Sequence, residues 1–182
     1  MLNRRDALRG LALTVGAAAS GWAGSAAATT ALSWTPTALT TDQALILDVV
    51  AELIIPATDT PGAREAGVPQ FIDRAMADYC ERWQVDQLTA GFARMDADAK
   101  SAHGKVFVAL APEQQVAILN VYDRETASST SGHFFPLLED MVTVAYFTSE
   151  PGATQALRYD PVPGAYNGCV PLAEVGRAWA TR

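Results

Sequence analysis

Two histidines and two cysteines are the most chemically versatile side chains in this 182-residue sequence. His103 and His133 are candidate acid–base groups or metal ligands, because an imidazole titrates near neutral pH and binds transition metals. Each lies in or beside a polar segment with flexible composition, where exposed histidines commonly have no such role. A catalytic role for His103 or His133 is therefore kept as the alternative interpretation.

The sequence is compatible with three bonding states of its two cysteines. Cys80 and Cys169 could form an internal disulfide, one could bond a partner chain, or both could remain thiols. Cys80 also fits an inert thiol on the apolar side of a helix. The sequence has no Cys-x-x-Cys spacing, which argues against a zinc site or a covalently attached c-type haem.

Other patterns associated with catalysis or cofactor binding are missing from the sequence. It has no G-x-G-x-x-G dinucleotide fingerprint, no phosphate loop, no His-Glu-x-x-His zinc helix and no G-x-S-x-G elbow. Adjacent acids such as Glu139 and Asp140 point in different directions on a helix and are best explained as solvated side chains. The sequence therefore predicts no catalytic, cofactor-binding or metal-ligating residue in this chain.

The N-terminal segment has the pattern of an export signal. Arg4 and Arg5 precede a mild Ala/Gly/Leu run, and Ala26 and Ala28 fit the A-x-A cleavage site. A twin-arginine pair before a weakly apolar run is typical of the bacterial Tat route, which carries folded proteins. We expect residues 1–28 to be a Tat signal that is cleaved. An ordinary Sec signal and a retained anchor are the alternatives.

The charge and the helical pattern limit the remainder to an acidic, all-α domain. The formal net charge is −7, and the predicted signal contains three of the arginines, so nucleic acid is not an expected partner. We expect a flexible linker over residues 29–39. A single helical domain of about five helices then covers residues 40–182 and includes an irregular, proline-rich C-terminal segment.

Helical spacing of apolar residues predicts the individual helices. Thr40 and Gln43 form a candidate capping box for the first helix, which Pro56 ends. Pro69 fits the first turn of the second helix. Its expected buried stripe is Ile72, Ala75, Met76, Tyr79, Cys80 and Trp83. We expect the third helix over residues 84–99, a fourth from Pro112, and a fifth with Phe134, Leu138 and Val142 facing inward.

Two long blocks of unusual composition resemble a known family. Residues 52–73 read ELIIPATDTPGAREAGVPQFID, and residues 146–172 read YFTSEPGATQALRYDPVPGAYNGCVPL. Together they resemble the gluconate 2-dehydrogenase subunit 3 family, and the similarity extends from about Thr41 to Leu172.

The resemblance implies a non-catalytic small subunit of a periplasmic, membrane-associated dehydrogenase that oxidises gluconate or related sugars. In such complexes a large flavoprotein subunit holds FAD, and a multihaem cytochrome c subunit passes electrons to the respiratory chain. The small subunit would bind no cofactor itself. It would supply the signal read by the Tat translocase and stabilise the large subunit. A stand-alone periplasmic enzyme using His103 or His133, or a free binding module, is the alternative.

Two proline-rich segments are candidates for contact with the large subunit. An extended segment that contains aromatic residues is suited to lie across a partner, although it could equally wrap its own helices. The candidate contact residues are Thr58, Asp59, Pro61 and Gly62 in the first segment, and Tyr159, Pro161, Pro163, Tyr166 and Cys169 in the second.

Overall fold

The computed structural model describes residues 32–128, 132–162, 164 and 169–180. The predicted signal residues Arg4, Arg5, Ala26 and Ala28 lie outside the described residues, as do Pro163 and Tyr166 of the predicted contact segment.

The described part of the chain is helical, which confirms the all-α prediction. Its five long helices are α1 (Thr41–Ile54), α2 (Val68–Asp78), α3 (Arg82–His103), α4 (Pro112–Ser128) and α5 (Phe134–Thr148). A 3₁₀ turn covers Phe107–Ala109, a π-helical turn covers Gly152–Ala156, and a short α6 covers Leu172–Val175. Within the described ranges, the one β-type pairing is an isolated bridge between Arg158 and Trp179.

The predicted start of α1 is confirmed. The Thr40 hydroxyl accepts a hydrogen bond from the Gln43 N–H at 3.3 Å, and the Gln43 side chain accepts one from the Thr40 N–H at 3.0 Å. This reciprocal pair satisfies two N–H groups that have no partner within a helix. Behind it, α1 buries Ile46, Leu47 and Val50.

The predicted stripe of the second helix is wrong at Tyr79 and Trp83, whereas Cys80 is half-buried against the core. The helix ends at Asp78, and Tyr79 leaves helical geometry at φ −128°. Gln84 then accepts a hydrogen bond from the Glu81 N–H at 2.8 Å and so begins α3. Because the backbone turns between the two helices, the helical spacing of apolar residues in α2 does not continue into α3. Tyr79 and Trp83 are 84 % and 60 % exposed instead of buried.

Residues 37–39, within the segment expected to be a linker, pack against α2. The buried carboxylate of Asp73 accepts three main-chain hydrogen bonds, from Thr37 at 2.7 Å, Ala38 at 3.1 Å and Leu39 at 2.9 Å. Leu39 is also buried in the core. Three donors compensate the desolvation of the carboxylate, which would be costly if it were unpaired. These three residues therefore belong structurally to the helical domain.

The core is organised around α5, which packs against α1, α2, α3, α4 and the π-helical turn. Its buried side chains are Phe134, Phe135, Leu138, Val142, Ala145 and Tyr146. Gly91 allows α3 to lie close against α5, because a Cβ at this position would overlap the ring of Phe134. The predicted inward face of this helix is thus confirmed at Phe134, Leu138 and Val142.

Gly152 allows the chain to turn sharply after α5. The sequence predicts a short turn of helix near residues 153–157, and the structure has a π-helical turn from Gly152 to Ala156. A Cβ at position 152 would overlap the carbonyl oxygen of Tyr146. Only a residue without a side chain fits against this main-chain atom.

We expect Gly152→Ala to lower the free energy of unfolding by about 1–3 kcal/mol, because overpacking displaces the backbone. Urea unfolding followed by circular dichroism measures the change. Gln155→Ala is the matched control: its side chain is exposed on the same turn, and we expect a change within about 0.5 kcal/mol. Equal stabilities of Gly152→Ala and the wild type would contradict the close contact.

Candidate functional site

The loop between α1 and α2 is held in place by the side chain of Glu52. Its carboxylate accepts hydrogen bonds from the Ala57 N–H at 3.2 Å and the Arg64 N–H at 2.9 Å. Gly62 lies against the same carboxylate, since a Cβ at position 62 would stand 2.5 Å from its Oε1 atom. The glycine and the glutamate of the first family-like block therefore have a shared structural role.

The hydroxyl of Tyr146, near the end of α5, also holds this loop in place. It donates to the carbonyl of Pro61 at 2.7 Å and lies 3.2 Å from the Thr60 hydroxyl. Thr58 and Asp59 remain exposed at the tip and are joined by a 3.0 Å hydrogen bond. Of the candidate contact residues in this loop, Thr58 and Asp59 thus face solvent, whereas Gly62 is buried.

Arg158 joins the beginning of the C-terminal segment to its end. The Arg158 N–H donates to the carbonyl of Ala178 at 2.7 Å, and its carbonyl accepts from the Ala180 N–H at 2.9 Å. The guanidinium lies 4.3 Å from the ring centroid of Trp179, a cation–π contact. It also donates to the carbonyls of Glu174 and Val175. The segment from Arg158 to Ala180 therefore returns to its starting point.

The closed segment presents apolar side chains to solvent. Tyr159 is 56 % exposed and Val162 is 81 % exposed, and Pro161 and Cys169 are also exposed. Exposed apolar side chains of this kind are available for contact with a partner. The structure thus places these contact candidates on the surface; their contacts with a partner remain a prediction.

The two cysteines are in different environments and no disulfide joins one to the other. Cys80 is half-buried beside α2, and Cys169 is exposed in the C-terminal segment. Burial raises the pKa of the Cys80 thiol, which favours the protonated, less reactive form. A bond from Cys169 to another chain stays a prediction.

A charged cluster joins α3, α4 and the start of α5. Arg94 pairs with Glu125 at 2.8 Å and with Asp98 at 3.4 Å, and its guanidinium lies 4.9 Å from the ring centroid of Tyr122. The hydrogen bond from Arg94 lowers the pKa of Glu125. Burial opposes the charge on Arg94, but the pKa of Arg94 is raised because Glu125 and its neighbours stabilise the cation.

His133 has both ring nitrogens engaged within this cluster. Nδ1 accepts a hydrogen bond from the Phe135 N–H at 3.2 Å and so caps α5. In a neutral ring the proton then lies on Nε2, which faces a Glu125 oxygen at 3.2 Å and is also 3.2 Å from Arg94. This histidine therefore holds the start of α5, and both of its ring nitrogens contact other groups of the chain.

His103 has a simpler environment at the end of α3. Its Nδ1 atom lies 3.3 Å from the amide nitrogen of Gln114. The structure thus places His103 and His133 in separate polar contacts. The partnership of Arg94 with Glu125 has no signal in the sequence, because these residues lie on different helices and no local spacing indicates their contact.

Among the described residues, no three side chains of the His, Cys, Asp and Glu types are grouped so that they could hold a metal ion. No described helix combines the length and the hydrophobicity needed to cross a bilayer.

Tyr122 gives the charged cluster a measurable pH dependence. Burial, and then the hydrogen bond to Asp98 at 2.7 Å, raise the pKa of Tyr122 above its ordinary value of 10.0. The unfolded chain releases this proton near pH 10.0 whereas the folded chain retains it. The stabilisation is therefore complete below that pH, and it is lost progressively as the pH rises from there through the raised pKa of Tyr122 in the folded chain.

We expect the free energy of unfolding of the wild type to fall more steeply than that of Tyr122→Phe as the pH rises above about 10. Urea unfolding at several pH values measures both slopes. Tyr79→Phe is the matched control, since Tyr79 is 84 % exposed, and it should keep the wild-type slope. Parallel curves for the wild type and Tyr122→Phe would contradict the assignment.

Comparison with known proteins identifies the family of this chain. The sequence model of the family described as gluconate 2-dehydrogenase subunit 3 matches residues 41–164, which is more than half of the chain. The matched range begins at α1 and includes the loop supported by Tyr146, the charged cluster and the first part of the C-terminal segment. No curated protein and no solved structure shows significant similarity to the chain. The chain belongs to the gluconate 2-dehydrogenase subunit 3 family.

Proposed function

We propose that this chain is the non-catalytic small subunit of a membrane-associated, periplasmic flavin dehydrogenase of the gluconate 2-dehydrogenase type. It supplies the Tat signal for export and stabilises the FAD-bearing large subunit. The family match over residues 41–164 carries the proposal. The adjacent Arg4 and Arg5 support the export role.

The environment of His133 supports a structural role for this histidine. His133 caps α5 and faces Glu125 and Arg94, so its ring nitrogens are occupied by contacts within the chain. A general base needs a nitrogen that reaches the proton it removes from the substrate, and both ring nitrogens of His133 already contact other groups of the chain. FAD and haem c accordingly belong to the partner subunits in this proposal.

The C-terminal segment is the proposed main contact with the large subunit. Arg158 closes its base through main-chain hydrogen bonds and the stacking contact with Trp179. A segment that is closed before binding loses less conformational entropy on association. Tyr159 and Val162 then offer exposed apolar area. The loop tip at Thr58 and Asp59 is the proposed second contact.

We expect a tagged copy of the full chain, isolated in mild detergent from its own host, to co-purify with a large FAD protein in equimolar amount. Mass spectrometry identifies the co-purifying chain, and flavin absorbance reports its cofactor. Recovery of this chain alone would contradict the proposal. That result would favour a stand-alone enzyme or a free binding module.

We expect the double substitution Arg4→Lys/Arg5→Lys to leave the flavoprotein in the cytoplasm, because the Tat route requires the arginine pair and not merely positive charge. Fractionation of cells followed by flavin and activity assays measures the distribution. Arg9→Lys is the matched control and should preserve export. Normal periplasmic delivery of the flavoprotein by the double variant would overturn the export role.

A further inference from the structure

A shallow groove with an apolar floor lies between the end of α1 and the helices α4 and α5, away from the C-terminal segment. Its volume is about 220 Å³. The apolar lining residues are Leu53, Ile54, Val116, Leu119 and Phe135. Pockets for small molecules are typically about 300–1,000 Å³, so this groove is better matched to a protein side chain than to a cofactor.

The remaining polar lining makes the groove negatively charged. Asp123 of α4 and Glu139 of α5 both line it, together with Asn120, and no lysine or arginine does. Neither carboxylate has a hydrogen bond or ion pair with another described residue. Leu53 and Ile54 lie in the last turn of α1, which has no basic residue, and the C-terminal end of a helix carries partial negative charge.

This arrangement is unfavourable in the isolated chain. Burial, and then repulsion from Asp123, raise the pKa of Glu139. Partial burial in the groove and repulsion from the exposed Asp123 therefore disfavour the charge on Glu139. Local arrangements that oppose stability are characteristic of functional surfaces. A cation entering from another molecule would relieve both effects.

We infer that this groove receives a lysine or arginine side chain, flanked by apolar residues, from the large subunit of the dehydrogenase. The inference rests on the proposed function and adds a third docking surface to it, after the C-terminal segment and the loop tip. The long aliphatic stem of either cation would cover the apolar floor, and its charged end would meet the carboxylates. A second copy of this chain is a poor occupant, because the net charge of −7 makes like chains repel.

The test uses the complex of the full chain with the large subunit. We expect Asp123→Asn/Glu139→Gln to weaken the complex by about tenfold at low salt and to flatten the dependence of its dissociation constant on salt, because the charge pair is removed. Analytical ultracentrifugation over a dilution series measures the dissociation constants. The matched control is Asp78→Asn/Asp140→Asn, which removes two exposed carboxylates that do not line the groove. It should keep both the affinity and the salt slope of the wild type.

Thermal unfolding of the unbound variants separates docking from a structural role. The Asp123→Asn/Glu139→Gln chain should unfold at the wild-type temperature or above it, since repulsion and desolvation are relieved. A lower unfolding temperature, or a complex with wild-type affinity and salt slope, would overturn the inference and leave the proposed function intact. If the wild-type chain formed no complex with a flavoprotein, both would fall.

Discussion

The packing of α5 against the other four long helices is the constraint on which the exposed features depend. The helix is anchored at one end by the contact of Phe134 with Gly91 and at the other by Tyr146. Because a Cβ at Gly91 would overlap the Phe134 ring, the glycine is what allows α3 and α5 to approach closely at this point. Tyr146 connects the far end of the same helix to the loop after α1.

Each surface considered for partner binding is attached to an end or an edge of α5. The C-terminal segment follows it through the turn at Gly152, and the loop tip is supported from Tyr146. The acidic groove uses Phe135 and Glu139 near its start. A well-packed helix thus gives separate surface elements a common support, which is what a chain that acts by binding requires.

Local patterns in the sequence predicted much of the helical framework. The capping box at Thr40 and the inward face at Phe134 depend on neighbours within one or two helical turns, and such contacts can be read directly from spacing. The prediction failed between Tyr79 and Trp83, where a short break changes the direction of the chain and resets the helical period. The pattern of apolar residues does not encode that change of direction.

Contacts distant in sequence could not be predicted in the same way. The partnership of Arg94 with Glu125, the closure of the C-terminal segment by Arg158 and the groove at Glu139 all join different elements. Their residues look like ordinary surface charges until the helices are assembled. The family-like blocks were more informative, since Glu52, Gly62 and Gly152 each have a specific role in fixing the backbone.

Hydrogen–deuterium exchange of the chain, alone and in complex with the flavoprotein, tests most directly the claim that it acts through its surface. Amides that become covered by a partner exchange more slowly, and each peptide reports its own region. The account predicts slower exchange in residues 158–180 and at the loop tip, with the interior of α3 unchanged. Equal exchange of these segments in the free and bound chain would contradict it.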